Sequence, residues 1–202
     1  RISEFVASNG SGLFDEDGDY ADWIEIENTE IEGQSIGGYF LSDDADNLQR
    51  WRIPDGVELG AGDFLLVMAS GKDRAVGGSE LHTRFRLSKA GGSLFLVAPD
   101  GETIIDAARD YPKQRVDVSY GRAADGEWRF FLNPTPGLSA EGGGVLGFVG
   151  DTAFDIDRGF FDEAIDVVIS TATEGARIYY TTDGSMPTEA NGLLYAEPVP
   201  VT

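Results

Sequence analysis

The sequence predicts an all-β protein, and three observations support that prediction. Short segments of alternating apolar and polar residues recur along the chain, with the period of two that is typical of half-buried strands. Turn sequences rich in Gly, Pro and Asp separate these segments, and 27 glycines suit many tight turns. No segment shows the 3.6-residue period of a long amphipathic helix. Short strands joined by such turns indicate an antiparallel sandwich or barrel.

Nine strands are predicted in the first 132 residues. The alternation is clearest in residues 81–87, where Leu81, Thr83, Phe85 and Leu87 share one face of the strand and His82, Arg84 and Arg86 share the other. The predicted strands are residues 2–7, 23–27, 38–42, 64–69, 81–87, 93–98, 103–107, 118–121 and 128–132. Aromatic residues are expected to fill the core between them, namely Trp23, Trp51, Trp128, Tyr39, Phe85 and Phe95.

A domain boundary is predicted after residue 139. The segment Asn133-Pro134-Thr135-Pro136-Gly137 ends the last strand, because proline cannot donate to a strand ladder. Residues 140–147 are rich in glycine and predict a flexible linker. Strands at 165–170, 177–182 and 193–196, and another starting at 198, predict a second β domain over residues 148–202. Because these few strands bury little apolar surface, we expect the natural protein to continue beyond this segment.

The composition restricts the classes of partner. The net charge is −21, from 36 acidic against 15 basic residues, and such a field repels nucleic-acid phosphates and anionic lipid head groups. It attracts cations or basic partners, or simply keeps the protein soluble. The longest apolar runs, such as residues 64–69, are too short to cross a bilayer. We therefore expect neither nucleic-acid binding nor membrane insertion. The absence of cysteine excludes disulfides, thiolate zinc sites and iron–sulfur clusters.

The acidic loop before the second predicted strand is the candidate metal site. Five of the eight residues from 15 to 22 are acidic, and carboxylate oxygens are the ligands that Ca²⁺ prefers. The spacing differs from that of an EF-hand, which has its glycine one position later. The alternative is a hydrated turn whose aspartates cap backbone N–H groups. The candidate ligands are Asp15, Asp17, Asp19 and Asp22, and a second, weaker group is Asp43, Asp44, Asp46 and Asn47.

No group of residues suggests catalysis. His82 is the only histidine, and no G-x-S-x-G segment accompanies it, so neither a hydrolase triad nor a catalytic zinc site is expected. We expect His82 on the polar surface of its strand. A pair of carboxylates could hydrolyse glycosidic bonds, but nothing in the sequence marks Glu25 or Glu27 as desolvated. The sequence therefore predicts a protein that is not an enzyme and requires no cofactor, although Ca²⁺ could bind at the acidic loop.

Tyr179 and Tyr180 are the candidate residues for stacking on a ligand. Adjacent strand residues point to opposite faces, so at least one of the two is expected to be accessible to a sugar ring. Packing in the core is the alternative.

The ordered series of segments in the first part of the chain resembles a bacterial lamin tail domain. The resemblance covers residues 1 to about 139 and depends on ISEFVASN, DEDGDYADWIEIEN, GYFLSDD, RWRIPDGVELGAGDFLLVMAS, LHTRFRLSKAGGSLFLVAPDGETIIDAA and NPTPGLS. The second part resembles the start of a chitobiase/β-hexosaminidase C-terminal-type domain, through DRGFFDEAIDVVIS, ARIYYTTDGSMPT and GLLYAEPVPVT.

These resemblances imply an immunoglobulin-like antiparallel β-sandwich followed by a partial second small β-sandwich. They imply a non-catalytic binding or spacer module of a larger secreted or cell-surface bacterial protein, which a cation could stabilise. The alternative is a carbohydrate-binding accessory module of a secreted hydrolase or of a spore-coat-protein-H-like kinase. The expected partners are a protein or polysaccharide at the cell surface and the remaining domains of the same polypeptide.

Overall fold

The computed structural model describes residues 1–140 and 142–201. Glu141, in the predicted linker, and Thr202, in the last predicted strand, lie outside the described residues. The described residues form strands and turns without a helix, which confirms the all-β prediction. The chain divides into two compact units, residues 1–146 and 147–202, and this division falls within the predicted linker of residues 140–147. Val145, in that segment, pairs with Phe130 through both backbone hydrogen bonds.

The first unit is a sandwich of two sheets with one short extra strand pair. A six-stranded sheet has the order β12-β11-β1-β2-β7-β8, and a four-stranded sheet has the order β10-β9-β4-β5. β3 and β6 form the extra pair. All pairings are antiparallel except that of β7 with β8. The strands are β1 (Ile2–Val6), β2 (Trp23–Glu27), β3 (Gln34–Ser35), β4 (Phe40–Ser42), β5 (Trp51–Arg52), β6 (Glu58–Leu59), β7 (Phe64–Met68), β8 (Leu81–His82), β9 (Gly92–Val97), β10 (Ile104–Tyr111), β11 (Ser119–Arg122) and β12 (Trp128–Phe131).

The core lies between these two sheets because each strand turns alternate apolar side chains inward. Phe5 of β1 is fully buried at its centre, with its ring edge-on to Tyr111 at 4.9 Å and 5.8 Å from the ring of Tyr120. Trp51 and Leu94 belong to the same core on the side of the four-stranded sheet. This arrangement confirms the predicted immunoglobulin-like sandwich.

The outer face of the six-stranded sheet is also covered. Trp23 and Met68 form a second buried cluster there with Val6 and Ala21. Residues 133–138 cover another part of the same face, and backbone groups of Thr135 and Gly137 bind carboxylates of the sheet. Central strands of this sheet are therefore buried on both faces, which the alternation in the sequence did not indicate.

In residues 147–201 of the second unit, the strands form three two-stranded antiparallel pairs: β13 with β15, β14 with β18, and β16 with β17. Its strands are β13 (Thr152–Phe154), β14 (Ile165–Val167), β15 (Ile169–Thr171), β16 (Tyr179–Tyr180), β17 (Leu193–Leu194) and β18 (Val199–Val201). Only Ile169 and Val199 are buried apolar residues among those described in this unit. The described part of the unit is therefore a small β structure with little core, as expected for a partial second sandwich.

Candidate functional site

The acidic loop between β1 and β2 closes around a lysine. The Lys72 ammonium lies 2.6 Å from Asp15 Oδ2, 2.7 Å from Asp17 Oδ2 and 2.9 Å from Asp19 Oδ2. Three of the four predicted metal ligands are thus brought together, with ligand oxygens within 4.8 Å of one another. A positive charge from the chain itself occupies the position among them. Calcium binding at this loop stays a prediction, and an ion there would compete with Lys72.

Asp15 organises the turn from within. Its side chain is buried, and Oδ1 accepts hydrogen bonds from the backbone N–H groups of Asp17 and Asp19, each at 3.0 Å. Gly18, with φ of +84°, allows the chain to reverse between them. Burial raises the pKa of Asp15, but the hydrogen bonds from Lys72 and from the two N–H groups outweigh it and leave the pKa lowered. The carboxylate is therefore held ionised by its own loop.

The outer part of the loop is bound by a second cation, Arg74. Its guanidinium lies 2.7 Å from Glu16 Oε1 and 2.7 Å from Asp17 Oδ2. Hydrogen bonds from Arg74 and Lys72 lower the pKa of Asp17 to about 2. Lys72 and Arg74 precede β8, so the acidic loop is fixed to the edge of the six-stranded sheet.

Asp22, the fourth predicted ligand, is not part of this group. Its Oδ1 accepts a hydrogen bond from the backbone N–H of Asn9 at 3.2 Å. Burial raises its pKa, and the hydrogen bond from Asn9 and the charge of Arg86 only partly offset this. Asp22 therefore links the end of the β1–β2 connection to the residues that follow β1.

The second predicted acidic group does not converge. Asp43 pairs with Arg50 at 2.7 Å, while Asp44 Oδ1 accepts the backbone N–H of Asp46 at 2.9 Å. Among the described residues, the groups with convergent ligand atoms are Asp15 with Asp17 and Asp19, and Asp15 with Glu80 and His82. Residues 43–47 therefore form a hydrogen-bonded turn, in which aspartate side chains bind backbone N–H groups instead of converging on one point.

His82 is fully buried, and the prediction that it lies on the surface was wrong. Its Nδ1 is 2.9 Å from Ser70 Oγ, while its Nε2 is 3.2 Å from Glu80 Oε2 and 3.9 Å from Glu16 Oε1. The predicted strand of residues 81–87 is regular only over Leu81–His82. His82 is covered because the acidic loop and the segment before β8 fold over the polar face of that strand. The period of two describes alternation within one strand and could not show this coverage, because other segments supply it.

The contacts of Ser70, His82 and Glu80 follow the order of a serine hydrolase triad. Ser70 and His82 are both buried, and Ser70 Oγ accepts the backbone N–H of Lys72 at 3.1 Å. A nucleophile needs a hydroxyl that a substrate can reach, with hydrogen-bond donors for the oxyanion beside it. The Ser70 hydroxyl instead joins the sheet to the segment carrying Lys72, so the contacts are those of a structural network.

Two buried glutamates are the main feature that sequence reasoning missed. Glu4 and Glu25 are 1% and 0% exposed and are register partners across β1 and β2. Burial raises the pKa of Glu25 to about 7, against hydrogen bonds from Ser3 and Gly137, and burial also raises the pKa of Glu4. Glu25 is therefore desolvated, although the sequence was not judged to mark it as such. A signal was present in the sequence, since both acids lie within strands beside large apolar residues.

Tyr179 and Tyr180 both border a groove in the second unit. Both side chains are partly exposed, and the groove between the strand pairs is lined by Phe154, Val167, Ile169, Pro187 and Val199, among others. The guanidinium of Arg177 lies 6.0 Å from the centre of the Tyr179 ring, and the ring of Tyr180 is edge-on to that of Tyr195 at 6.5 Å. The groove is lined by apolar and aromatic side chains together with the threonines Thr152, Thr181 and Thr182, and Arg177 lies beside the Tyr179 ring.

Comparison with known proteins finds a family model that matches more than half of the chain and a second that matches its last part. The model of the lamin tail domain family matches residues 1–112, and the model of the chitobiase/beta-hexosaminidase C-terminal domain matches residues 156–202. Both matches confirm the predicted resemblances. No curated protein and no solved structure matches the chain. The described part of the chain contains no helix that could span a bilayer.

Proposed function

Because the chain belongs to the lamin tail domain family, we propose that it is a non-catalytic binding or spacer module of a larger secreted or cell-surface bacterial protein. Lamin tail and chitobiase C-terminal domains are accessory β-sandwiches of larger proteins, and both lie in this one chain. The observation that carries the proposal is the acidic loop, which Lys72 and Arg74 hold in one conformation at a sheet edge. A loop fixed on a rigid sandwich loses little conformational entropy on binding.

The partner of this loop is proposed to be a basic protein surface. The net charge of −21 attracts such a surface over a distance, and Asp19 keeps an exposed carboxylate beside Lys72. The remaining contacts of the module would be with other domains of the same polypeptide.

Charge-neutralised variants test the role of the loop. Three immobilised proteins are cross-linked to proteins of the cell surface. They are the unmodified chain, a loop variant with both Asp17→Asn and Asp19→Asn, and a control variant with both Asp55→Asn and Glu58→Gln. The control removes two exposed acids outside the loop. We expect a partner that the control retains and the loop variant loses, with binding that weakens as salt increases. Equal capture by both variants would contradict the proposal.

Export is tested separately. We expect the tagged full-length protein to be cleaved by protease added to intact cells, or to be recovered from the medium. Protection from protease in intact cells, with cleavage after lysis, would place the protein inside the cell and overturn that part of the proposal.

Carbohydrate binding by the second unit is the second candidate function. It is favoured by the groove that Tyr179 and Tyr180 border, because sugar rings stack on exposed aromatic faces. We expect retention on chitin or cellulose that Tyr179→Ala abolishes, while Tyr20→Ala, which removes an exposed tyrosine of the first unit, leaves it unchanged. Retention that survives both substitutions would exclude this groove as the binding site.

A further inference from the structure

The imidazole of His82 has an unused nitrogen at the centre of an acidic group. The residue is 0% exposed, and Nε2 has no hydrogen-bond partner among the described residues. A buried polar atom without a partner is costly, so native proteins rarely retain one without a ligand, an ion or water. His82 Nε2, Asp15 and Glu80 each place one ligand atom within 4.8 Å of the others.

The relative orientation of His82 and Glu80 suits a shared metal ion better than a direct hydrogen bond. His82 Nε2 lies 3.2 Å from Glu80 Oε2 without hydrogen-bonding geometry. Two ligands bound to a tetrahedral ion at zinc distances lie about 3.4 Å apart, close to that separation. Glu16 Oε1, at 3.9 Å from Nε2, is near enough to be a further ligand after a small movement.

The other nitrogen of the ring is arranged as in bound metal sites. Nδ1 lies 2.9 Å from Ser70 Oγ, and that hydroxyl oxygen can accept the Nδ1 proton. A histidine whose Nδ1–H is bound in this way presents the lone pair of Nε2 to a metal. Ser70 therefore fixes the orientation of the ring.

The surrounding charge favours a cation. The ion-pair network contains five carboxylates against two cations, Lys72 and Arg74, and this leaves a formal charge of −3. The side chains of Glu80 and Glu16 are 27% and 43% exposed, so an ion can enter from their side. A binding site needs such an entry path as well as its ligands.

We propose that His82 Nε2, Glu80 and Asp15 bind one divalent first-row transition-metal ion, for which Zn²⁺ is the reference. An imidazole with carboxylates is the ligand set of zinc, manganese, cobalt or nickel, whereas Ca²⁺ takes six to eight oxygens. The site is distinct from the predicted calcium loop, although Asp15 belongs to both groups. An ion bound there would cross-link the acidic loop to β8 at the edge of the six-stranded sheet.

Co²⁺ serves as the probe, because it replaces Zn²⁺ and its visible spectrum reports the coordination. We expect one Co²⁺ per chain in the unmodified protein, and an affinity reduced about tenfold or more in Glu80→Gln. Asp17→Asn is the matched control, since Asp17 belongs to the Lys72 group but not to this one. It is expected to bind Co²⁺ much more tightly than Glu80→Gln does, with only the small loss that the removed charge causes. Circular dichroism and thermal melting confirm that each variant is folded.

A second measurement needs no substitution. His82 is the only histidine, so the imidazole ¹⁵N spectrum contains one residue's signals. We expect added Zn²⁺ to shift the Nε2 resonance and leave Nδ1 protonated. The proposal is overturned if Nε2 does not respond to Zn²⁺, if Glu80→Gln binds Co²⁺ unchanged, or if Asp17→Asn loses binding as strongly as Glu80→Gln.

Discussion

Glu4 and Glu25 lie directly opposite each other across β1 and β2, both buried on the outer face of the six-stranded sheet. Like charges in such a cross-strand pair repel, and burial adds to the cost of ionising them. Hydrogen bonds from residues 133–138 reduce that cost. Thr135 donates its N–H at 3.1 Å and its hydroxyl at 3.0 Å to Glu4 Oε2, and the N–H of Gly137 donates to Glu25 Oε2 at 2.5 Å. The two acids therefore anchor the segment that follows β12.

The first prediction is that stability falls as pH rises through neutrality. The pKa of Glu25 is raised from its ordinary 4.5 to about 7, so the folded protein holds this proton more tightly than the unfolded chain does. The tighter binding of this proton stabilises the folded protein by on the order of 3 kcal/mol of unfolding free energy. This stabilisation is fully present below pH 4.5 and is lost as pH rises through 7. Urea unfolding at intervals from pH 4.5 to 8.5 measures this dependence.

The variant Glu25→Gln identifies the group responsible. We expect its unfolding free energy to change less than that of the unmodified protein between pH 5 and 8, because the amide carries no charge at any of these pH values. Glu58→Gln, at an exposed position, is the control and is expected to retain the dependence. A variant Glu25→Gln with the full pH dependence would show that another group titrates.

The second prediction concerns Lys72→Met. This change leaves the buried Asp15 without its cation, and we expect a lower unfolding free energy than that of the unmodified protein. It also frees the position among Asp15, Asp17 and Asp19, so calcium should raise the melting temperature of this variant more than that of the unmodified protein. Lys113→Met, at an exposed lysine, is the matched control. If calcium has equal effects on all three proteins, the loop is not a latent calcium site.

The third prediction concerns the buried amide of Asn28. Its Nδ2 lies 2.9 Å from each of the carbonyl oxygens of Glu32, Leu59 and Gly60, which share its two N–H hydrogens. In Asn28→Asp, a carboxylate replaces these donors and faces three carbonyl oxygens, so we expect a loss of about 2–4 kcal/mol. Asn47→Asp introduces the same charge at an exposed position and should change little. Equal urea midpoints for the two variants would contradict this explanation.

The fourth prediction separates the ring of Trp51 from its polar atom. The side chain is buried in the core, and its Nε1 has no hydrogen-bond partner among the described residues. Trp51→Phe removes this donor at little loss of packing, so we expect it to cost less than about 1.5 kcal/mol. Trp51→Ala leaves a cavity and should cost about 3–5 kcal/mol. Comparable losses in the two variants would mean that Nε1 has a partner, such as buried water.

The strand pattern of the first unit could be predicted because a buried face requires an apolar residue at every second position. Residues 81–87 show both the success and the limit. Phe85 and Leu87 are buried and Arg84 and Arg86 are exposed, as their alternation predicts, but His82 is buried on the polar face. The short strands β3, β5 and β6 were not predicted, because two residues are too few to show a period.

The amino-acid sequence determines the all-β class, the strong negative charge and the place of the acidic loop, because these follow from local periodicity and composition. Only tertiary folding brings Lys72 among the aspartates of that loop, places His82 beside Glu80, and covers Glu4 and Glu25 with residues 133–138. Lys72 and Asp15 are 57 positions apart in the sequence, and Thr135 and Glu4 are 131 positions apart, whereas His82 and Glu80 are only 2 apart. Even His82 and Glu80 depend on distant segments, because those segments bury the imidazole. Burial and neighbouring charges determine the properties of an ionisable group, and both arise only in the folded chain.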